Sequence, residues 1–283
     1  MPTRRVSLAI LIIWVVAAAD LFRRDVMPGL VLGPPPDFRS VVASGSGEPT
    51  KWTILVADTR DGVAERPVGE VTTEITRRRD GSARMSSLAW FDSARMLRGT
   101  PFEAAGDARI EILGACEVDS SGSLVEFRVA VREGLQAKTD LLVIDGHLKN
   151  NEIVVDTHSP FPMLQWSKSI PYRARTLVQS TLSPLDRIPH LQLGQRWESR
   201  MVSPLTGRME TCTVEVVARR HITWNNNPVA TMELVSRMSP LSAKTWVRAD
   251  GLVLRQEVPF PFVKLMLERQ PDKNSASMPG MTP

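Results

Sequence analysis

Hydrophobic and polar residues alternate with a period of two through most of the chain. Ile110, Ile112, Gly114, Cys116 and Val118 fall on one face, with Arg109, Glu111 and Glu117 opposite, which predicts a strand with one buried face. After a turn at Ser120-Ser121-Gly122, the residues Val125, Phe127, Val129 and Val131 alternate with Glu126, Arg128 and Arg132, so an antiparallel partner follows directly. The same style recurs from Leu135 to Ile144 before Asp145-Gly146, at Cys212, Val214 and Val216, and from Trp246 to Val258 around Asp250-Gly251. Asp80-Gly81 and Asn225-Asn226-Asn227-Pro228 mark further turns. Two stretches break the alternation. Ser86 to Arg98 reads as a short helix, and His158 to Ile188, with Pro160, Pro162, Pro171 and Pro184, reads as a crossing segment with brief helices at most.

The strand pattern is stated twice. One copy opens at Lys51-Trp52-Thr53, turns at Asp61-Gly62 and continues at Val71 to Ile75; the other opens at Arg196-Trp197-Glu198, turns at Thr206-Gly207 and continues at Thr213 to Val216. An internal repeat of two β-rich halves is therefore expected, with Trp52, Trp197 and Trp246 as core residues of their strands. The expected organisation is a signal anchor or signal peptide over residues 1–26, a spacer over 27–50 and a first half over 51–157. A Pro-rich crossing segment over 158–194, a second half over 195–270 and a disordered tail over 271–283 complete it. The fold class is mainly β: an antiparallel meander or incompletely closed barrel with short helices and an N-terminal apolar helix.

The N-terminus changes the expected location. Arg4-Arg5 precede an apolar run containing Leu8, Ile10, Leu11, Ile12, Ile13, Trp14, Val15 and Val16, and Ala17-Ala18-Ala19 and Arg23-Arg24 follow. This is an export or anchoring signal. With Leu21 and Phe22 included, the run approaches the lower limit of about 17 residues for a membrane helix, which favours a retained single-pass anchor in the cell membrane. The alternative is a cleaved signal and a secreted or periplasmic product, and either places the body outside the cytoplasm. The Pro-Gly-Ser composition of residues 27–50 suits a spacer that holds the body off the membrane.

Charge then excludes one class of partner. The chain of 283 residues carries a net charge of +4, but Arg4, Arg5, Arg23 and Arg24 flank the apolar run, and the body beyond residue 24 is left at +1. No nucleic-acid partner is expected from that balance. The partners expected are the membrane, through the N-terminal segment, and a lipid or envelope protein.

The Trp-strand, the Thr-x-Glu-Val strand and the run from Thr245 to Glu257 (Thr-Trp-Val-Arg-Ala-Asp-Gly-Leu-Val-Leu-Arg-Gln-Glu) together resemble the β-rich extracytoplasmic domains found upstream of bacterial transglutaminase-like enzymes. Those domains in turn resemble the half-barrel of lipoprotein carriers. The resemblance spans Lys51 to Arg269 by pattern, and Thr245 to Glu257 is its most specific piece. It implies an open antiparallel barrel with an apolar concave face under short helices. No catalytic domain follows Arg269 here, so it implies no catalytic residue.

Candidate chemistry is sparse. Cys116 and Cys212 are the only cysteines, both on apolar faces of their strands, and they read either as a disulfide or as two separate buried thiols. His147, His158, His190 and His221 are scattered without metal-ligand spacing, and no nucleophile elbow or phosphate-cradling glycine motif is present. A triad of Cys116, His158 and Asp156 can be written, yet it needs an exposed nucleophile where the pattern predicts a core residue. No cofactor is expected. Phe161, Met163, Leu164 and Trp166 stand out, because loops seldom carry four apolar groups unless they dock on something. They read either as docked on the protein's own sheet or as an apolar groove or partner surface. The expected function is non-catalytic: an extracytoplasmic binding or scaffold protein of the cell envelope. An envelope hydrolase, a cysteine-dependent transferase and a structural subunit of an envelope complex are the alternatives.

Overall fold

The computed structural model describes residues 47–57, 65–100, 108–134, 139–172, 186–203, 208–238, 241–260 and 263–271. The N-terminal apolar run, the spacer up to residue 46, the tail from residue 272 and the turns at Asp61-Gly62 and Thr206-Gly207 lie outside these residues. Among the described residues, no helix is long and apolar enough to cross a membrane.

Period-two alternation produces what it predicts, a sheet of fourteen antiparallel strands that is not closed. Eight strands run in sequence: β1 (Thr50–Ala57), β2 (Glu65–Arg77), β3 (Ala83–Asp92), β4 (Arg109–Val118), β5 (Leu124–Glu133), β6 (Asp140–Lys149), β7 (Glu152–His158) and β8 (Trp166–Pro171). Six more follow: β9 (Arg196–Ser203), β10 (Arg208–Trp224), β11 (Asn227–Met238), β12 (Leu241–Arg248), β13 (Val253–Phe260) and β14 (Val263–Arg269). Each run is a meander, and β1 pairs with β14, Trp52 opposite Arg269 and Ile54 opposite Leu267. The two edges are therefore β8 and β9. One short helix, α1 (Ser93–Leu97), follows β3, its N-terminus capped by the Asp92 carboxylate, which accepts from the Arg95 N–H at 2.9 Å.

Three local expectations are corrected. Ser86 to Arg98 is strand as far as Asp92, because Ala89 and Phe91 enter the core in alternation with Leu88 and Trp90; only Ser93–Leu97 is helical. Asp145-Gly146 is not a turn. β6 runs straight through it, since a Cβ at Gly146 would overlap the Phe127 ring, and Asp145 pairs with Arg128 across the strands at 3.0 Å. The hairpin closes instead at Asn150-Asn151, both with positive φ, the geometry of a two-residue turn that asparagine tolerates. Finally, Val125 points outward at 43% exposure while Leu124 is buried, because a bulge opposite Glu117 and Val118 shifts the phase by one residue.

Buried side chains form two clusters on one face of the sheet. The larger gathers Trp52, Ile54 and Val56 of β1, Val71, Ala89 and Phe91 of β2 and β3, and Trp197, Cys212, Val214, Val216, Leu234, Val247, Val253, Leu265 and Leu267 of β9 to β14. The smaller gathers Leu124, Phe127, Ile144, Ile153, Val155, Ile170 and Tyr172 of β5 to β8 and the residue just beyond it. β4 serves both: Ile110 and Ile112 pack on the first cluster and Cys116, on the same face, packs on the second. Trp246 belongs to neither cluster. It lies on the face opposite buried Thr245 and Val247 and is half-buried there.

The end of the crossing segment is strapped to the larger cluster. Asp186 and Arg269 form a buried ion pair, and the Thr50 hydroxyl donates to the same Asp186 oxygen at 3.0 Å. The Val253 N–H donates to the Asp186 carbonyl at 3.1 Å and the Ile188 N–H to the Gly251 carbonyl at 2.7 Å, which carries Ile188 into the core. Trp224 Nε1 donates to the Arg269 carbonyl at 2.8 Å.

Candidate functional site

Of the sequence candidates, the apolar quartet is the most informative. Thr157 and Ser159, both buried, fold the chain back after β7. The Thr157 hydroxyl lies 2.7 Å from the Leu164 carbonyl and 3.0 Å from that of Trp166, and it accepts from the Trp166 N–H at 2.8 Å. Ser159 donates to the Leu141 carbonyl at 2.7 Å and accepts from the Phe161 N–H at 3.1 Å, while the Gln165 amide reaches the Ser159 carbonyl at 2.6 Å. A single 3-10 turn over Pro162–Leu164 is held in this frame. Its apolar side chains point away from the sheet: Phe161 is 52% exposed, Met163 87% and Leu164 42%. Trp166, at the start of edge strand β8, is half-buried and packs against the smaller cluster. The quartet is thus split, one residue docked on the protein's own sheet and three presented to the outside on a fixed knuckle. Prolines at 160 and 162 limit the conformations available to it.

The cysteines stand apart. Cys116 packs on the smaller cluster and Cys212 is buried in the larger, and both are free thiols. Burial pushes the Cys116 thiol up to about 12, with the neighbouring Glu117 charge adding to it; burial likewise raises Cys212 against a hydrogen bond from Ser236. A thiol held this far above neutrality is protonated and a poor nucleophile. The paired registers also separate the proposed triad. Cys116 shares a cross-strand row with Phe127, Gly146 and Val155, whereas His158 continues the row of Leu113, Ala130 and Val143. Leu113 and Cys116 are three residues apart on one strand, so the rows lie on opposite faces of the sheet. His147, His158, His190 and His221 are all exposed, and among the described residues no three His, Cys, Asp or Glu side chains group as metal ligands would.

A pocket that the sequence did not announce lies on the polar face of β1 to β4. It has a volume of about 520 Å³ and is lined by Thr53, Pro67, Glu70, Trp90, Asp92, Arg95 and Arg109, with the backbone around Val68 and Gly69 and Ala108 completing the wall. Strand register assembles it: Thr53 pairs with Glu70, Glu70 with Trp90, and Asp92 with Arg109. A bulge in β2, between the pairs Ile54–Gly69 and Leu55–Pro67, widens the strand at that point. Gly69 has no room for a side chain, since a Cβ there would overlap the Trp90 carbonyl. The Arg109 guanidinium stacks over the Trp90 indole at 4.0 Å and approaches Glu111 at 3.9 Å, while Arg95 pairs with Asp92 at 3.4 Å. Trp90 lay in the stretch read as helix, so no periodic signal could place it beside Glu70 and Arg109. Only the register does.

No protein-family model and no curated protein matches the chain. Among solved structures, it is similar to a β-barrel-like protein of the domain of unknown function DUF1849 from Brucella abortus. That match has 9% identity and a TM-score of 0.48, over 78% of this chain and 94% of the other. It is also similar to a DUF1089 family protein from Pseudomonas aeruginosa, at 15% identity and a TM-score of 0.38 over 70% of this chain and 94% of the other.

Proposed function

We propose that the protein is a non-catalytic binding or scaffold module of the cell envelope, which engages an apolar lipid or protein surface through the knuckle at Phe161, Met163 and Leu164. The observation that carries this reading is a set of apolar side chains exposed on a hydrogen-bonded frame beside β8, the end strand of the sheet among the described residues. Exposed apolar groups gain free energy when a partner covers them, about 1.5–3 kcal/mol for each large side chain fully buried. A frame that is already ordered loses little entropy on binding. In this reading the apolar run at residues 6–22 anchors the chain and residues 27–50 are the spacer that holds the body off the membrane surface, outside the cytoplasm. The reading also draws on the sequence resemblance, over Lys51 to Arg269, to the domains upstream of transglutaminase-like enzymes and through them to the half-barrel of lipoprotein carriers.

The test compares the full chain with a triple variant, Phe161→Ser, Met163→Asp and Leu164→Ser, purified in mild detergent and examined by mass spectrometry for co-purifying lipid and protein. The expected result is one lipid or protein species in stoichiometric amount with the wild type and absent from the variant. Identical material in both would remove the knuckle from the function.

A further inference from the structure

We infer that the pocket around Trp90 is a second binding site, separate from the knuckle, and that the ligand it takes is a neutral saccharide. An outer face of an antiparallel sheet is polar by default, so its charges alone assign nothing. What departs from that default is a half-buried indole in the wall of a cavity of about 520 Å³, within the range of about 300–1,000 Å³ common for small-molecule sites. The charged side chains that line the cavity are of both signs, Glu70 and Asp92 against Arg95 and Arg109, and Glu111, paired across the strands with Trp90, lies 3.9 Å from Arg109. An anion would meet the two carboxylates, and a cation would compete with Arg109, which already occupies a face of the ring. A saccharide brings no charge to set against either pair, and it needs only the part of Trp90 that lines the cavity beside Arg109. Its ring offers a patch of C–H groups to the apolar wall of Trp90 and Pro67, and its hydroxyls both donate and accept, matching the acceptors Glu70 and Asp92 and the donor Arg95.

The groups are held in place before any ligand arrives. Asp92 is fixed by its bond from the Arg95 N–H at 2.9 Å, Thr53 by the Gln270 amide at 3.2 Å, and the α1 end of the wall by Arg66, whose guanidinium donates to the Arg95 carbonyl at 2.7 Å. Arg109 is held from behind by Glu111, whose carboxylate lies 3.9 Å from its buried Nε.

The experiment uses the full chain in a detergent without sugar groups and titrates it with tri-N-acetylchitotriose and with maltotriose, followed by calorimetry and ligand-observed NMR. Sulfate and tetramethylammonium serve as the charged comparisons. The expected result is saturable binding of at least one trisaccharide, with a dissociation constant on the order of 0.1–1 mM, weakened about tenfold or more by Trp90→Ala and about threefold by Glu70→Gln. The Glu70→Gln variant, at an exposed position, keeps the test open should Trp90→Ala melt early. Saturable sulfate binding in place of sugar, no saturation with either trisaccharide, or sugar binding that Trp90→Ala and Glu70→Gln leave untouched would each overturn the inference. The triple knuckle variant should bind the trisaccharide like the wild type, so failure of one site is read separately from failure of the other.

Discussion

The two buried clusters share one sheet face but differ in how they are closed. The larger is built from strands at both ends of the chain, β1 to β3 with β9 to β14, and the strap at Asp186 to Ile188 crosses its end. The smaller is built from consecutive strands, its free side is the short edge strand β8, and Tyr172 finishes it by accepting the Leu124 N–H at 2.9 Å. Long-range closure ties the first cluster to the integrity of the whole sheet. The second depends on local hairpins, which open at lower free energy than the elements they lean on.

The largest expected effect comes from unpinning the strap. Asp186→Ala leaves Arg269 buried without its carboxylate, and the loss of stability should be about 3–5 kcal/mol in urea unfolding. Pairing Asp186→Leu with Arg269→Met should recover most of it, because neither charge is then left alone. A small loss in the single variant would mean that the larger cluster does not need the strap.

Next are matched truncations, Leu267→Ala in the larger cluster and Ile153→Ala in the smaller, both positions fully buried. Each should cost about 2–5 kcal/mol. Hydrogen exchange separates them: Leu267→Ala should lower protection throughout the sheet, whereas Ile153→Ala should lower it in β5 to β8 and spare β12 to β14. Equal loss everywhere in both variants would show a single cooperative unit.

A smaller effect distinguishes the cysteines. The Cys116 thiol has its pKa raised from 9.0 to about 12 by burial, so the folded state favours the protonated form. That contribution is fully present below about pH 9, where the unfolded thiol is also protonated, and it declines between 9 and 12, by up to about 1.4 kcal/mol per pH unit. The stability difference between wild type and Cys116→Ala should therefore narrow from pH 8 to pH 10 in urea midpoints. Reductant should change neither protein, both thiols being free. The smallest expected effect is that of Met163→Asp, less than about 0.5 kcal/mol, because an 87% exposed side chain leaves no cavity. A larger loss would mean that the knuckle supports the smaller cluster rather than facing a partner.

Most of the strands were legible because alternation reports a sheet with one buried face directly, as at Cys212, Val214 and Val216, although in β4 the polar-face residue Glu111 is buried and Ile110 and Ile112 only half so. What escaped depends on partners distant in sequence. β8 lies in the Pro-rich stretch, and an edge strand needs ladder N–H groups on one side only, which accommodates Pro171. Gly146 looks like a turn residue until Phe127 is placed over it. The knuckle was visible as surplus apolar residues in a loop, although only the frame from Thr157 and Ser159 shows which of them face outward. The Trp90 pocket left no trace, since its side chains come from β1 to β4 and α1 and meet only through register.

The pairing of the first strand with the last also sets how the molecule bears a load. β1 is flanked on one side by β2 and on the other by β14. To draw β1 out, its hydrogen bonds to both neighbours must shear together, with Trp52 and Ile54 dragged from the core in the same movement. An edge strand such as β9 would peel one bond at a time. β1 is thus held on both sides, whereas β8 and β9 are each held on one.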